Sequence, residues 1–290
     1  MSVPIEWLER INQELRDAGV EQRKRPWEAL RRYSLEFKVP LSISSSTARE
    51  IIEWFKARSK PGVHQVGSLF QTVYYFDTEF WTVSIPIFFG TVRIIALDCL
   101  REMPQAVKKD LMSNAESAWH YALYWADCLD YATGINEVGK SSKLDAFGLQ
   151  LLRAGDQELR SAITQLRDRR PDPRAILTCR MATELFLKAY IALKVGLSQK
   201  QAKELGHDLE KAFDRFVQVS GYTFWAPLKS SLAVYPLIHA RYDKQDLSLG
   251  SVWKGFELAH SIGTVTVREH TDRNTTGELL ASNNWPWPAS

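Results

Sequence analysis

The chain has 290 residues, 45% of them hydrophobic and 24% charged, with a formal net charge of +3. That length allows one large domain or two ordinary ones, and the apolar fraction excludes global disorder. A surplus of three charges is too small by itself to argue for nucleic acid.

The opening segment, MSVPIEWLERINQEL, lacks the apolar core and cleavage site of a signal peptide. Residues 4–18 read as an amphipathic helix with Ile5, Leu8, Ile11 and Leu15 on one face and Gly19 at its end. Arg23, Lys24, Arg25, Arg31 and Arg32 follow, interleaved with Trp27 and Tyr33. They read either as a nucleic-acid surface or as a solvated face with Glu21 and Glu28 as counter-charges. Thr47 and Glu50 have capping-box spacing for a helix through Ile51, Ile52, Trp54 and Phe55.

Within residues 66–90, Trp81, Val83, Ile85 and Ile87 alternate with Thr82, Ser84 and Pro86. That is a strand period, and Pro86 confines the strand to an edge or an irregular segment. The apolar run from Val83 to Leu100 contains Pro86, Arg93 and Asp98, whereas a membrane span needs roughly 20 apolar residues with few charges. Thr91–Met103 returns to a helical pattern, ended by Pro104. A long aromatic helix covers Asn114–Ala132, with His120, Tyr124, Asp127 and Tyr131 on one face, as a polar pocket wall or a helix–helix seam.

Gly134–Lys143 reads as a flexible linker between domains. Its Gly134–Ser141 portion formally matches a phosphate-binding loop. That chemistry needs a buried strand before the loop and a helix after it, and a helical pattern stands before it. Another long helix runs from Leu144 to Leu166. Asp172 and Pro173 then suit the start of a helix that is apolar from Leu185 to Leu193 at every position but Lys188. Gly196 stops it, Ser198 and Gln201 form a capping box for a short helix, and Gly206 ends that in turn. Leu209, Ala212, Phe213 and Phe216 continue the bundle to Ser220–Gly221. Pro227 and Pro236 punctuate the next segment, and Ser251 stands where it can cap a last helix. Residues 271–290 are polar, end in Trp285-Pro-Trp287-Pro, and read as a disordered tail or a short docking motif.

The central stretch carries a resemblance. Glu184-Leu-Phe-Leu-Lys188-Ala-Tyr, then a Gly-ended helix, then Gly206-His207-Asp208-Leu209, resembles the middle of a HEPN domain. His239-Ala-Arg241-Tyr242 resembles the Arg-Tyr that often follows. The likeness spans roughly residues 143–265. It implies a helical bundle, frequent dimerisation, and roles around RNA or nucleotides, often in bacterial defence or stress. Active HEPN ribonucleases share an Arg followed after a short spacer by His. Only Arg58 and His64 stand at such a spacing, far outside the resembling region. A ribonuclease would therefore need a composite site, using His207 with Arg241, and no catalytic residue is assigned.

Two Glu-x-x-His pairs, Glu204/His207 and Glu257/His260, have the spacing of di-iron ligands, but Gly206 breaks the first pair's helix. No metal and no cofactor is predicted. Cys99, Cys128 and Cys179 are scattered in apolar helical patterns and fit a reducing cytoplasm. The expected architecture is all-α. A helical N-terminal domain covers residues 1–140, a HEPN-like bundle 141–270 and a polar tail 271–290, with at most a small β element near 66–90. Glu184, Lys188, His207, Arg241 and Tyr242 are the expected ligand-binding residues. His120, Tyr124, Asp127 and Tyr131 form a second candidate pocket. The expected partners are RNA, a nucleotide or another protein, with a homodimer and no membrane. A non-catalytic scaffold that oligomerises is the competing reading.

Overall fold

The computed structural model describes residues 3–39, 45–59, 68–88, 94–237, 239–240, 243 and 245–282. Among them the chain is mostly helical, with one two-stranded antiparallel sheet where the strand period predicts it. No helix among the described residues is long and apolar enough to cross a membrane. The chain forms two compact units, Met1–Gly67 and Ser68–Ser290.

The first unit holds α1 (Ile5–Asp17), a 3₁₀ turn at Gln22–Lys24, α2 (Arg25–Phe37) and α3 (Ser46–Lys56). Trp7, Leu8, Ile11 and Leu15 form a core with Ala29 and Leu30 of α2 and Ile51 and Phe55 of α3. That stripe centres on Ile11, with Trp7 and Leu8 on its flanks. Ile5 falls outside it and is 59% exposed. The cap of α3 is Ser45, which accepts from the Ala48 N–H, because the helix starts before Thr47.

The second unit begins with β1 (Phe70–Phe76) and β2 (Glu79–Ile85), paired from Phe70 opposite Ile85 to Phe76 opposite Glu79. Asp77 and Thr78 join them with φ of 51° and 63°. Two left-handed residues in a two-residue loop match the right-handed twist of the hairpin. Pro86 follows the end of β2, where its missing N–H costs no ladder bond. The helix expected over Thr91–Met103 is only a 3₁₀ turn at Ala96–Cys99; residues 91–93 lie outside the described set. The Tyr121 hydroxyl donates to the Ala96 carbonyl at 2.7 Å, taking an acceptor that a helix would use.

Seven helices of this unit then follow in order. They are α4 (Gln105–Ser113), α5 (Ala115–Gly139), α6 (Ala146–Leu166), α7 (Ala175–Val195), α8 (Gln199–Leu205), α9 (Leu209–Ser220) and, after a 3₁₀ stretch at Thr223–Val234, α10 (Leu249–Arg268); α11 (Thr275–Ala281) closes the described part. The expected box at Ser198 and Gln201 is present in both halves on α8. Ser248 caps α10, accepting from the Ser251 N–H, so Ser251 is the donor and not the cap.

The boundary expected at residue 140 is corrected. Residues 134–139 are the last turns of α5, and Gly134 is buried where a Cβ would meet Val267 of α10 at 2.2 Å. This glycine serves close helix packing, not linker freedom, and it ties α5 to the same unit as α6, α7 and α10. Lys140 is the helix C-cap, so Gly134–Ser141 has neither the preceding strand nor the open loop that phosphate binding requires. The expected tail is also corrected in part: α11 forms within it, capped by Asn274, while Trp285 and Trp287 lie outside the described residues.

Helix α7 is the hub, buried on most of its circumference and packed against α6, α9 and α10. Phe186 projects from it, fully buried. A Cβ at Gly155 of α6 would lie 2.7 Å from one edge of its ring, and one at Gly263 of α10 would lie 2.8 Å from the other. Gly263→Ala is therefore expected to destabilise by about 1–3 kcal/mol through overpacking, although alanine is the better helix former. A thermal melt at or above the wild-type midpoint would count against that tight fit.

Candidate functional site

The face of α7 that looks toward α9 carries Arg180, Glu184 and Lys188, one turn apart, all buried. They hold the turn between α8 and α9. Lys188 Nζ donates to Glu184 Oε1 at 2.8 Å and to the Gly206 carbonyl at 2.6 Å. Arg180 Nη2 donates to the His207 carbonyl at 2.7 Å. Gly206 has φ of +61°, a conformation that a side chain would strain, and this aims the two carbonyls at the two cations.

The imidazole of His207 reaches back to the same carboxylate, with Nδ1 3.0 Å and 3.1 Å from the two Glu184 oxygens. A carboxylate can only accept, so Nδ1 carries the proton and the neutral ring offers its lone pair at Nε2. Glu184 is 4% exposed at its side chain, but His207 is 62% exposed. Nε2 makes no hydrogen bond among the described residues. One end of the ring is thus fixed by buried structure and the other is presented outward.

Two clefts meet at this ring. One, of about 510 Å³, is lined by Phe147, Leu151, Leu185, Lys188 and His207. The other, of about 830 Å³, is lined by Arg180, His207, Asp208, Glu210, Tyr235 and His239 among others. Behind the ring two fixed cations face one carboxylate, Glu184, while Asp208 and Glu210 add negative charge to the wall of the larger cleft. Arg180 Nη1 is buried without a hydrogen-bond partner among the described residues, 3.7 Å from Glu184 Oε2. An excess of buried donors of this kind suits an anion.

Of the expected ligand-binding residues, Glu184, Lys188 and His207 come together; Arg241 and Tyr242 lie outside the described residues. The guanidinium that braces this turn belongs to Arg180. It stands four residues before Glu184, as Lys188 stands four after, so the same helical spacing that pairs Glu184 with Lys188 also points to it. His64, of the Arg58/His64 spacing, is outside the described residues as well.

His120, Tyr124, Asp127 and Tyr131 form a seam, each bonded to a different neighbour. His120 pairs with Glu257 at 2.6 Å and with the Tyr74 hydroxyl at 3.1 Å. Tyr124 donates to the Val73 carbonyl at 2.6 Å, Asp127 accepts from Arg268 at 2.7 Å, and Tyr131 donates to Asp156 at 2.9 Å. The hydrogen bond that His120 donates to Glu257 raises the pKa of His120 above its ordinary value, against the effect of burial. With Glu257 so engaged, its helical neighbour His260 is left in a separate, aromatic setting beside Phe70, Tyr124 and Tyr131.

No family model, no curated protein and no solved structure matches the chain.

Proposed function

We propose that the unit from Ser68 is a HEPN-like bundle that binds a phosphate-bearing ligand, RNA or a nucleotide, at His207. The observation that carries this reading is the exposed imidazole braced at Nδ1 by buried Glu184 and flanked by two clefts. Arg180 and Lys188 supply the fixed positive charge behind it. An imidazole so held donates to a phosphate oxygen when protonated and accepts a hydroxyl proton when neutral.

The second property supports a ribonuclease as the alternative reading, with Nε2 as general base toward a ribose 2′-hydroxyl. The two readings share one test. His207→Ala is expected to weaken binding of AMP or of a short RNA to this unit about tenfold, while the melting temperature stays close to wild type because the ring is mostly exposed. Incubation with labelled RNA separates the two, since only the hydrolytic reading predicts cleavage that this variant abolishes. Undiminished affinity in His207→Ala sinks both.

A further inference from the structure

The first unit carries its own site. Residues 1–67 contain twelve Lys and Arg against nine Asp and Glu, so the whole formal +3 of the chain falls in this unit. Most of the basic run that stands out in the sequence is ion-paired. Glu21 pairs with Arg23 at 2.6 Å and Lys24 at 2.9 Å, Glu28 with Arg31 at 2.6 Å, and Glu14 with Arg32 at 2.7 Å. Of that run, only Arg25 has no ion-pair partner among the described residues.

Arg25 is one of three arginines, unpaired among the described residues, that line a cleft of about 310 Å³ formed by α1, the start of α2 and the end of α3. Arg16, Arg25 and Arg58 line it, with Glu9 as the one carboxylate among its lining residues. None of the three arginines has an ion-pair partner among the described residues. Arg25 is anchored through Nε to the Val20 carbonyl at 2.8 Å, and its two terminal nitrogens make no hydrogen bond among the described residues. The Arg58 guanidinium lies 3.9 Å from the centre of the Trp54 ring, and its Nη1 donates to the Trp54 carbonyl at 3.3 Å. The Trp54 indole also lines the cleft, and its Nε1–H is buried without an acceptor among the described residues.

We propose that this cleft is a second phosphate-binding site, taking the phosphate of a nucleotide, either free or within a single strand of nucleic acid. Guanidinium groups match phosphate oxygens in pairs, and an Arg already stacked on an indole has lost much of its freedom before the ligand arrives. The indole N–H supplies a further donor, and the cleft has room for one nucleotide rather than a duplex. The proposal stands on residues remote in sequence from His207 and does not depend on the reading of that site.

The test is a fluorescence-anisotropy titration of the full chain with a labelled single strand of about ten nucleotides, a usual site size. It is repeated between about 50 and 200 mM salt, and with AMP as competitor. Arg16→Gln and Arg58→Gln are each expected to weaken binding about tenfold and to flatten the salt slope by about 0.7. Arg31→Gln, outside the cleft, is expected to change neither. Competition by AMP assigns the site to free nucleotide, and its failure assigns it to a strand; either supports the phosphate site. Arg16 makes no side-chain bond in the fold among the described residues, so Arg16→Gln remains informative even if Arg58→Gln unfolds. Wild-type affinity and slope in the double variant, an equal loss in Arg31→Gln, or no binding at all overturns the proposal. So does binding that His207→Ala abolishes and the arginine variants leave intact, a result that leaves the His207 reading standing.

Discussion

Arg268→Ala is expected to release α11 and to cost about 3–5 kcal/mol of stability, the usual penalty for removing one partner of a buried ion pair. Arg268 ends α10 and bridges two carboxylates of α5. Its Nε donates to Asp130 at 2.7 Å and its Nη2 to Asp127 at 2.7 Å. Asp130 is 2% exposed and also accepts from the Thr275 N–H and hydroxyl, while Asp127 accepts from the Thr276 hydroxyl. The two carboxylates therefore hold the first turn of α11, and Arg268 is what makes their charge tolerable in the interior. Lysine should not rescue, because a point charge cannot serve two acceptors with the fixed fork of a guanidinium. Hydrogen exchange over residues 275–281 and a urea melt read the two effects separately. Protected α11 amides and an unshifted midpoint in Arg268→Ala would show that this network is dispensable.

Acid should destabilise the second unit through His260 in particular. Its ring is fully buried among Phe70, Tyr124, Tyr131 and Phe256, and neither nitrogen has a hydrogen-bond partner among the described residues. Burial holds its pKa down at about 4, with Asp127 acting weakly the other way and Arg268 adding to the depression. The unfolded chain takes up this proton near 6.5, so between those values the unfolded state binds more protons than the folded one. The stabilisation is complete above about pH 6.5 and is lost as the pH falls toward 4, by about 3 kcal/mol in all. His120 has the opposite sign. Its raised pKa contributes stability below about 6.5 that is lost as the pH rises through its folded value. Comparing wild type with His260→Leu cancels that contribution along with the carboxylates. The variant is close in volume and leaves no nitrogen unsatisfied, so it should match or exceed wild type at pH 7. It should then gain on wild type steadily toward pH 4 in urea melts. A constant difference across that window would mean that His260 is solvated or bonded in the folded state.

Local pattern determined most of the helices, the position of the hairpin, the capping box on α8, and the one-turn spacing of Glu184 and Lys188. Each of these depends on residues a few positions apart, and the helical and strand periods report them directly. The spacing of Arg180 is equally local, but its contact with the His207 carbonyl is not, because it depends on Gly206 turning that carbonyl toward α7. The same limit explains Gly134. A glycine among Gly, Ser and Lys has the composition of a linker, and only the close approach of α10 makes it a packing residue. It explains α11 too, which at seven residues is too short to hold by itself and is held at its first turn by two aspartates more than a hundred positions away. Nor does any sequence window show that Arg16, Arg25 and Arg58, from three separate helices or helix ends, line one cleft. Tertiary structure decided these four points because burial and ion pairing are properties of neighbours in space, and the periodicity of one element says which face is buried without saying what lies against it.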